Sequence, residues 1–381
     1  MSTRARVGAA LLALTLLLAA SPAAALDSDG DGLRDGFEKK HGATSYLKRD
    51  SDGDGVVDSA EDSDGDRLSD LGEQKYSTNP RRRDSDGDGR PDGAEDADRD
   101  GRSNALEQDQ RRLPGNLIPA LSKASGDRQP DRAGCQVQHG RSKVITCVFG
   151  NPSGSTTLAL VGDSNLTQYL TPLKRLAKVR GWRVELMAKS SCPSFLGLHG
   201  ERQWFVDKGK SCRRWRLAVI DKLKADPPDY LIYANVDYTL RTIKGKPIPE
   251  AKRPSLWRDA VKRTLERLPN RTKVLVLGML PPTERNPLAC LKTSRKDMSK
   301  CQTRRRAAYQ RPIDQAIKAG AKAAGQQYGT LHNKICSYDP CPLVQGKVLV
   351  WRDGIHITET FAKRLQPSLA DIVERKLVKA R

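Results

Sequence analysis

The 381-residue sequence predicts an α/β protein: a three-layer α/β/α parallel sheet, preceded by an irregular array of short repeats. Three observations carry that expectation. Apolar strand-length runs alternate with helical patterns from about residue 157 onward. One acidic pattern returns five times before residue 108. The charge also changes sign between the two regions. The whole chain carries a formal +21, of which residues 26–112 hold about −10 and residues 113–381 about +29.

Residues 1–25 read as an export signal. Arg4 and Arg6 precede the apolar run Ala9–Ala20, and Ala23-Ala24-Ala25 gives a small-residue cleavage site before Leu26. The run is short for a membrane span and none like it follows, so no span is expected after cleavage; retention as an anchor is the alternative. The mature chain is expected to be secreted, in the medium or at the cell surface. Eight cysteines in an exported chain read as disulfides. They fall into sequence-close pairs, Cys135 with Cys147, Cys192 with Cys212, Cys290 with Cys301 and Cys336 with Cys341. Spacing leaves the connectivity open, and the absence of any CxxC gives no zinc site.

Residues 26–107 form the acidic unit. The pattern D-x-D-x-D-[GR]-x-x-[DN]-x-x-E begins at Asp27, Asp50, Asp62, Asp84 and Asp96. In order, the acidic and amide positions are Asp27, Asp29, Asp31, Asp35 and Glu38 in the first copy, and Asp50, Asp52, Asp54, Asp58 and Glu61 in the second. The third copy has Asp62, Asp64, Asp66, Asp70 and Glu73, and the fourth Asp84, Asp86, Asp88, Asp92 and Glu95. The fifth has Asp96, Asp98, Asp100, Asn104 and Glu107. Oxygens at loop positions 1, 3, 5, 9 and 12 make the cage that Ca²⁺ prefers, with glycine at position 6 for the sharp turn. Gly32, Gly55, Gly89 and Gly101 obey that rule and Arg67 departs from it. Glu61 is followed at once by Asp62, and Glu95 by Asp96, which leaves no room for the flanking helices of an EF-hand. The array resembles bacterial thrombospondin type 3 repeats, which implies structural calcium and almost no apolar core. Composition alone would predict a disordered acidic tract.

Residues 108–134, with Pro114, Pro119 and Pro130, read as a linker. Cys135–Gln138 and Lys143–Cys147 around His139-Gly140 then read as a hairpin stapled by a disulfide. Strands are expected at Thr157–Val161, Arg183–Ala188, Tyr230–Ala234, Lys273–Leu277 and Lys347–Val350. Helices are expected at Leu166–Val179, Arg213–Ala225, Leu256–Leu268, Ala307–Ala324 and Phe361–Val378. Strands alternating with helices give a parallel sheet covered on both faces, whose sites form at the carboxyl ends of strands.

Gly162-Asp163-Ser164-Asn165 sits at such an end, where a serine is exposed and a helix start aims N–H groups at a developing oxyanion. A serine there alone is more often a cap. Near the C-terminus, however, Trp351-Arg-Asp353-Gly-Ile-His356-Ile-Thr358 supplies a D-x-x-H in which Asp353 can orient His356 to take the Ser164 proton. These stretches, with Lys189-Ser-Ser-Cys-Pro193 and Cys336-Ser-Tyr-Asp-Pro-Cys341, resemble the SGNH hydrolase domain fused to membrane acyltransferases of the acyltransferase-3 family, over about residues 135–381. The resemblance implies a flavodoxin-like sheet and Ser164, Asp353 and His356 as catalytic residues. It also implies an oxyanion asparagine and glycine, for which Asn235 and Gly197 are the candidates. Asn165 stands where a histidine commonly follows the serine in that family.

Together these features suggest a serine esterase or O-acyl (O-acetyl) transferase acting on an anionic or acylated polysaccharide, with no cofactor for catalysis. A separate membrane protein is a candidate acyl donor. Nucleic acid is the other obvious polyanion, but aromatics make up only 5% and none interleave a basic stretch. The second reading is a calcium-dependent surface-binding or structural protein whose SGNH domain is inactive.

Overall fold

A computed structural model describes residues 26–379 apart from 98, 100–101, 109–112, 131–132, 237–238, 243, 282, 309–310 and 337–339. The export signal and the ligand assignments of Asp98 and Asp100 lie outside the described residues. The chain divides into two compact units, Met1–Gln74 with Thr78–Gly93, and Lys75–Ser77 with Ala94–Arg381.

The first unit is built from loops. In each of four copies the first aspartate accepts hydrogen bonds from the N–H groups of positions 4 and 6, as Asp27 does from Gly30 at 2.8 Å and Gly32 at 3.2 Å. Asp50, Asp62 and Asp84 repeat the arrangement. Arg67 keeps the left-handed backbone of position 6, with φ 80°, so the third copy holds the turn at a conformational cost of about 1 kcal/mol. The long spacers admit two-turn helices, Asp35–His41 and Asp70–Tyr76. The short ones admit only the single turns Asp58–Ala60 and Asp92–Ala94. Leu33 and Leu68 are fully buried here.

In the second unit the strands are β1 (Gln136–Val137), β2 (Cys147–Gly150), β3 (Thr157–Gly162), β4 (Arg183–Lys189), β5 (Tyr230–Ala234), β6 (Lys273–Leu277) and β7 (Gln327–Gly329), followed by β8 (Val344–Gln345) and β9 (Val348–Leu349). The main sheet runs β1-β4-β3-β5-β6-β7, parallel throughout, with β2 added antiparallel along β4. Alternate residues feed two cores. Leu158, Leu160, Ile232, Leu275 and Leu277 face the helices Leu170–Arg180 and Gln366–Val373. Ala159, Val161, Tyr233, Val274 and Val276 face Trp215 and Trp257, on the helices Lys210–Ala225 and Arg253–Leu265. These are the three expected layers.

Four readings are corrected by the structure. The 135–147 segment is not a hairpin: β1 and β2 lie end to end along β4, because its seven residues are long enough to take both, and the Cys135–Cys147 bridge joins them. The strand near 347–350 is not in the parallel sheet; Gly346 turns the chain so that β9 pairs antiparallel with β8. β7 and the helix Glu201–Asp207 were not anticipated. The helix expected at Leu166–Val179 is two, Ser164–Thr167 and Leu170–Arg180, the second closed by Gly181 at φ 68°. Residues 113–127, read as a linker, bind along the unit. Ile118 donates to Lys347 O and accepts from Leu349 N, and the Glu359 N–H donates to Asp127 O. All four disulfides join sequence neighbours. No helix among the described residues is long and apolar enough to cross a membrane.

Gly162 ends β3 where a Cβ would stand 2.3 Å from Ala234 O and 2.5 Å from Leu166 Cβ. Gly162→Ala is expected to cost at least about 2 kcal/mol and lower the calorimetric Tm by several degrees. Gly126→Ala, whose Cβ would meet nothing within 4 Å, should change stability by less than about 0.5 kcal/mol.

Candidate active site

β3 lies between β4 and β5, so the residues following all three strands converge at one edge. Asp163, fully buried, follows β3 and caps the helix Ser164–Thr167: its Oδ1 accepts from Asn165 N at 2.7 Å. Its Oδ2 accepts from Val236 N at 3.0 Å, which ties the start of that helix to the loop after β5. Ser164 is left half-exposed at the top.

His356 comes to it from a turn near the C-terminus. Its Nε2 lies 2.8 Å from Ser164 Oγ, and its Nδ1 lies 2.8 and 2.9 Å from the two Asp353 oxygens. Asp353 Oδ1 also accepts from the Ile355 and His356 N–H groups. Burial pushes the Asp353 carboxyl up, but the hydrogen bond and charge of His356, the Ile355 N–H and the nearby Arg352 outweigh it and hold it below the usual range. An ionised Asp353 beside Nδ1 sets the tautomer in which Nε2 accepts.

The turn is held from three sides. Trp351 bridges Ile357, and Arg352 N donates to His356 O at 3.0 Å. Thr283 Oγ1 in the loop after β6 donates to Gly354 O. Gln168 Oε1 accepts from Ile357 N, while its Nε2 donates to Asn165 Oδ1 at 3.0 Å. Gln168 therefore links Asn165, in the serine helix, to the histidine turn. Sequence reading missed Asp163 and Gln168 as positioning residues; the signal for Gln168 was its place one helical turn beyond Ser164.

Asn235, 4% exposed, follows β5. Its Oδ1 accepts from Ser194 N at 2.8 Å, so Nδ2 is left as a buried donor with no acceptor among the described residues. The Ser194 loop is braced by buried Arg216, which donates to Pro193 O at 2.9 Å and Leu198 O at 2.6 Å, and by the Cys192–Cys212 bridge. Gly197 has φ +86°, and a Cβ there would meet the Arg263 guanidinium at 2.7 Å. Turn geometry and close approach account for that glycine.

In the first unit, positions 1, 3 and 5 bring their carboxylates together in four copies: Asp27, Asp29 and Asp31; Asp50, Asp52 and Asp54; Asp62, Asp64 and Asp66; Asp84, Asp86 and Asp88. The ninth-position carboxylates of Asp35, Asp58 and Asp70 accept from the backbone and hydroxyl of the serine at position 2, so they first close the loop on itself. Asp66 and Glu73 of the third copy gather with Asp92 of the fourth. Glu73 is fully buried with neither carboxylate oxygen partnered; burial, then the neighbouring aspartates, push its pKa to about 9. The same causes bring Glu38 and Glu61 to about 7. Orphaned buried oxygens in all-oxygen clusters fit a hard divalent cation such as Ca²⁺.

Residues 134–371 match the family described as SGNH domain (fused to AT3 domains). Among solved structures, the chain is similar to the periplasmic domain of a lipopolysaccharide acetyltransferase from Salmonella ser. Paratyphi A. The two share 14% identity and a TM-score of 0.46 over 59% of this chain and 86% of that one. It is also similar to a carbohydrate esterase family 2 enzyme with its carbohydrate-binding domain from Corynascus thermopiles, at 12% identity and a TM-score of 0.35, over 60% and 68% of the two chains. No curated protein matches it.

A carboxyl raised above its unfolded value binds its proton more tightly when folded. The metal-free first unit should therefore gain stability in acid and lose it as pH rises from 4.5 towards about 9 through Glu73. Circular dichroism in EDTA should show more ordered structure at pH 5 than at pH 8.

Proposed function

The chain belongs to the SGNH domain family described as fused to AT3 domains, and on that premise we propose that it is a secreted serine esterase or O-acyltransferase acting on an acylated glycan. The observation that carries the reading is the hydrogen-bonded chain from Ser164 through His356 to Asp353. Ser164 Oγ attacks the ester carbonyl and its proton passes to His356 Nε2. Asp353 stabilises the imidazolium that results. The tetrahedral oxyanion is met by Asn235 Nδ2, which no other described residue engages. Collapse expels the alkoxide, which takes the proton back from Nε2, and leaves the acyl group on Ser164. Water then completes an esterase cycle and a sugar hydroxyl a transferase cycle; in both, His356 deprotonates the acceptor and returns the proton to Ser164.

The glycan reading draws on the charge of about +29 carried by residues 113–381, whose field would gather an anionic polymer. Secretion draws on the pattern of residues 1–25 and on the four disulfides. The repeats act as a calcium-ordered array resembling thrombospondin type 3 repeats, held by the position 1, 3 and 5 aspartates and by Glu38, Glu61 and Glu73, with Asp92 shared between copies. Bound calcium there supplies structural order and takes no part in acyl transfer.

A fluorophosphonate probe should label Ser164 alone, and p-nitrophenyl acetate hydrolysis should fall to the buffer rate in Ser164→Ala. Labelling elsewhere, or equal rates in both proteins, would replace this reading with the inactive, surface-binding one. Asp353→Asn should lower kcat by a factor of about 10³–10⁴ with KM little changed, because the imidazole loses its orienting anion.

A further inference from the structure

The helix Glu201–Asp207 is tied to loops at the carboxyl edge of the sheet. At its start, Glu201 N donates to Thr239 O at 2.8 Å and Gly200 bridges Leu240, both in the loop after β5. In its middle, buried Gln203 donates from Nε2 to Ser190 O at 2.7 Å, the residue directly after β4. Near its end, Val206 abuts Gly140 in the segment after β1. Ser164 follows β3, the strand between β4 and β5, so this helix is anchored on both loops that flank the nucleophile.

The helix carries an apolar pair that no core absorbs. Phe205 is 65% exposed and Val206 49%. Trp204 braces the pair from behind: its ring stands edge-on to Phe205, with centroids 5.7 Å apart. A Cβ on Gly245 would stand 2.1 Å from the Trp204 ring, so only glycine admits that loop. Arg241 lies over Phe205, its guanidinium 4.6 Å from the ring centroid, and is itself fixed by Glu201 and by Gly245 O at 2.7 Å. Arg202, Lys208 and Lys210 in and just after the helix, and Lys244 and Lys246 on either side of Gly245, are exposed. The acidic groups on the helix are engaged: Glu201 by Arg241, and Asp207 by the Ser211 N–H.

We propose that Phe205, backed by Trp204 and Arg241, is a stacking subsite for a pyranose ring of an anionic saccharide, with these exposed lysines and Arg202 meeting its carboxylate or phosphate groups. The subsite rests on the acyl-transfer reading for its link to Ser164, but its binding chemistry stands without turnover. A rigidly held ring face receives the C–H face of a sugar at little entropic cost. The excess of exposed cations in these segments selects anionic chains over neutral ones. A bilayer is the competing ligand for an exposed Phe–Val pair beside lysines. The saccharide is favoured because the platform is anchored on the two loops that flank the nucleophile, where a polymer has to run to present its ester.

The test uses the full-length protein with calcium and the Ser164→Ala background, so that binding is read without turnover. Isothermal titration with an oligogalacturonate should show binding that weakens with added salt. Phe205→Ala should weaken it about fivefold to tenfold, and Phe205→Trp should restore it. Wild-type affinity in Phe205→Ala, or no binding of oligogalacturonate by the parent at low salt, overturns the proposal. So does a loss confined to phosphatidylglycerol–phosphatidylethanolamine vesicles, which would make the helix a lipid contact. A protein that binds the oligomer through Phe205 yet hydrolyses no ester would refute the enzymatic reading and leave the subsite standing.

Discussion

Everything at the sheet edge hangs on one buried carboxylate. Asp163 accepts from the first helical turn with one oxygen and from the strand-end loop at Val236 with the other. It thereby fixes the serine that follows it and the asparagine that precedes Val236 as one rigid piece. The approach of β3 to β5 needed for this is so close that only glycine fits at 162. A charged group placed out of solvent is costly unless its acceptors are filled, and filling them draws two loops of distant sequence together.

The histidine arrives by a different route. Its turn belongs to no strand of the main sheet, and its position is set by side-chain and backbone contacts from three neighbours: Gln168, Thr283 and the Trp351–Ile357 bridge. Nucleophile and base therefore come from separate parts of the chain and are joined by the Ser164–His356 hydrogen bond and by Gln168, which bonds both Asn165 and the Ile357 N–H. Such an arrangement leaves the imidazole oriented even if the serine is replaced, since Asp353 and the turn hold it independently.

Much of this was legible in the sequence because the physics is local. β3, β4, β5 and β6 are apolar runs buried on both sides, and they came out within a residue or two of their observed ends. The D-x-x-H spacing made Asp353 and His356 a pair before any fold was known. The parts that were not legible depend on tertiary partners. β7 is three residues ending in Gly329, too short to show a period, and it exists because β6 offers it an edge. Residues 113–127 look like a linker by composition, yet find backbone partners on Lys347, Leu349 and Glu359 that no local pattern reveals. In the repeats the twelve-residue phase was visible, whereas the gathering of Asp92 with Asp66 and Glu73 required seeing how one copy packs on the next.

The strap at Ile118 has a mechanical side. It is held to β9 by two backbone hydrogen bonds, one to Lys347 and one from Leu349, in parallel register with Val348. Parallel bonds of this kind are loaded in shear when the chain is pulled lengthwise, so they resist together rather than unzipping in turn. The Trp351–Ile357 turn begins only two residues beyond Leu349. Tension reaching the chain just before Ile118 would load these two bonds, within a few residues of the turn that carries His356.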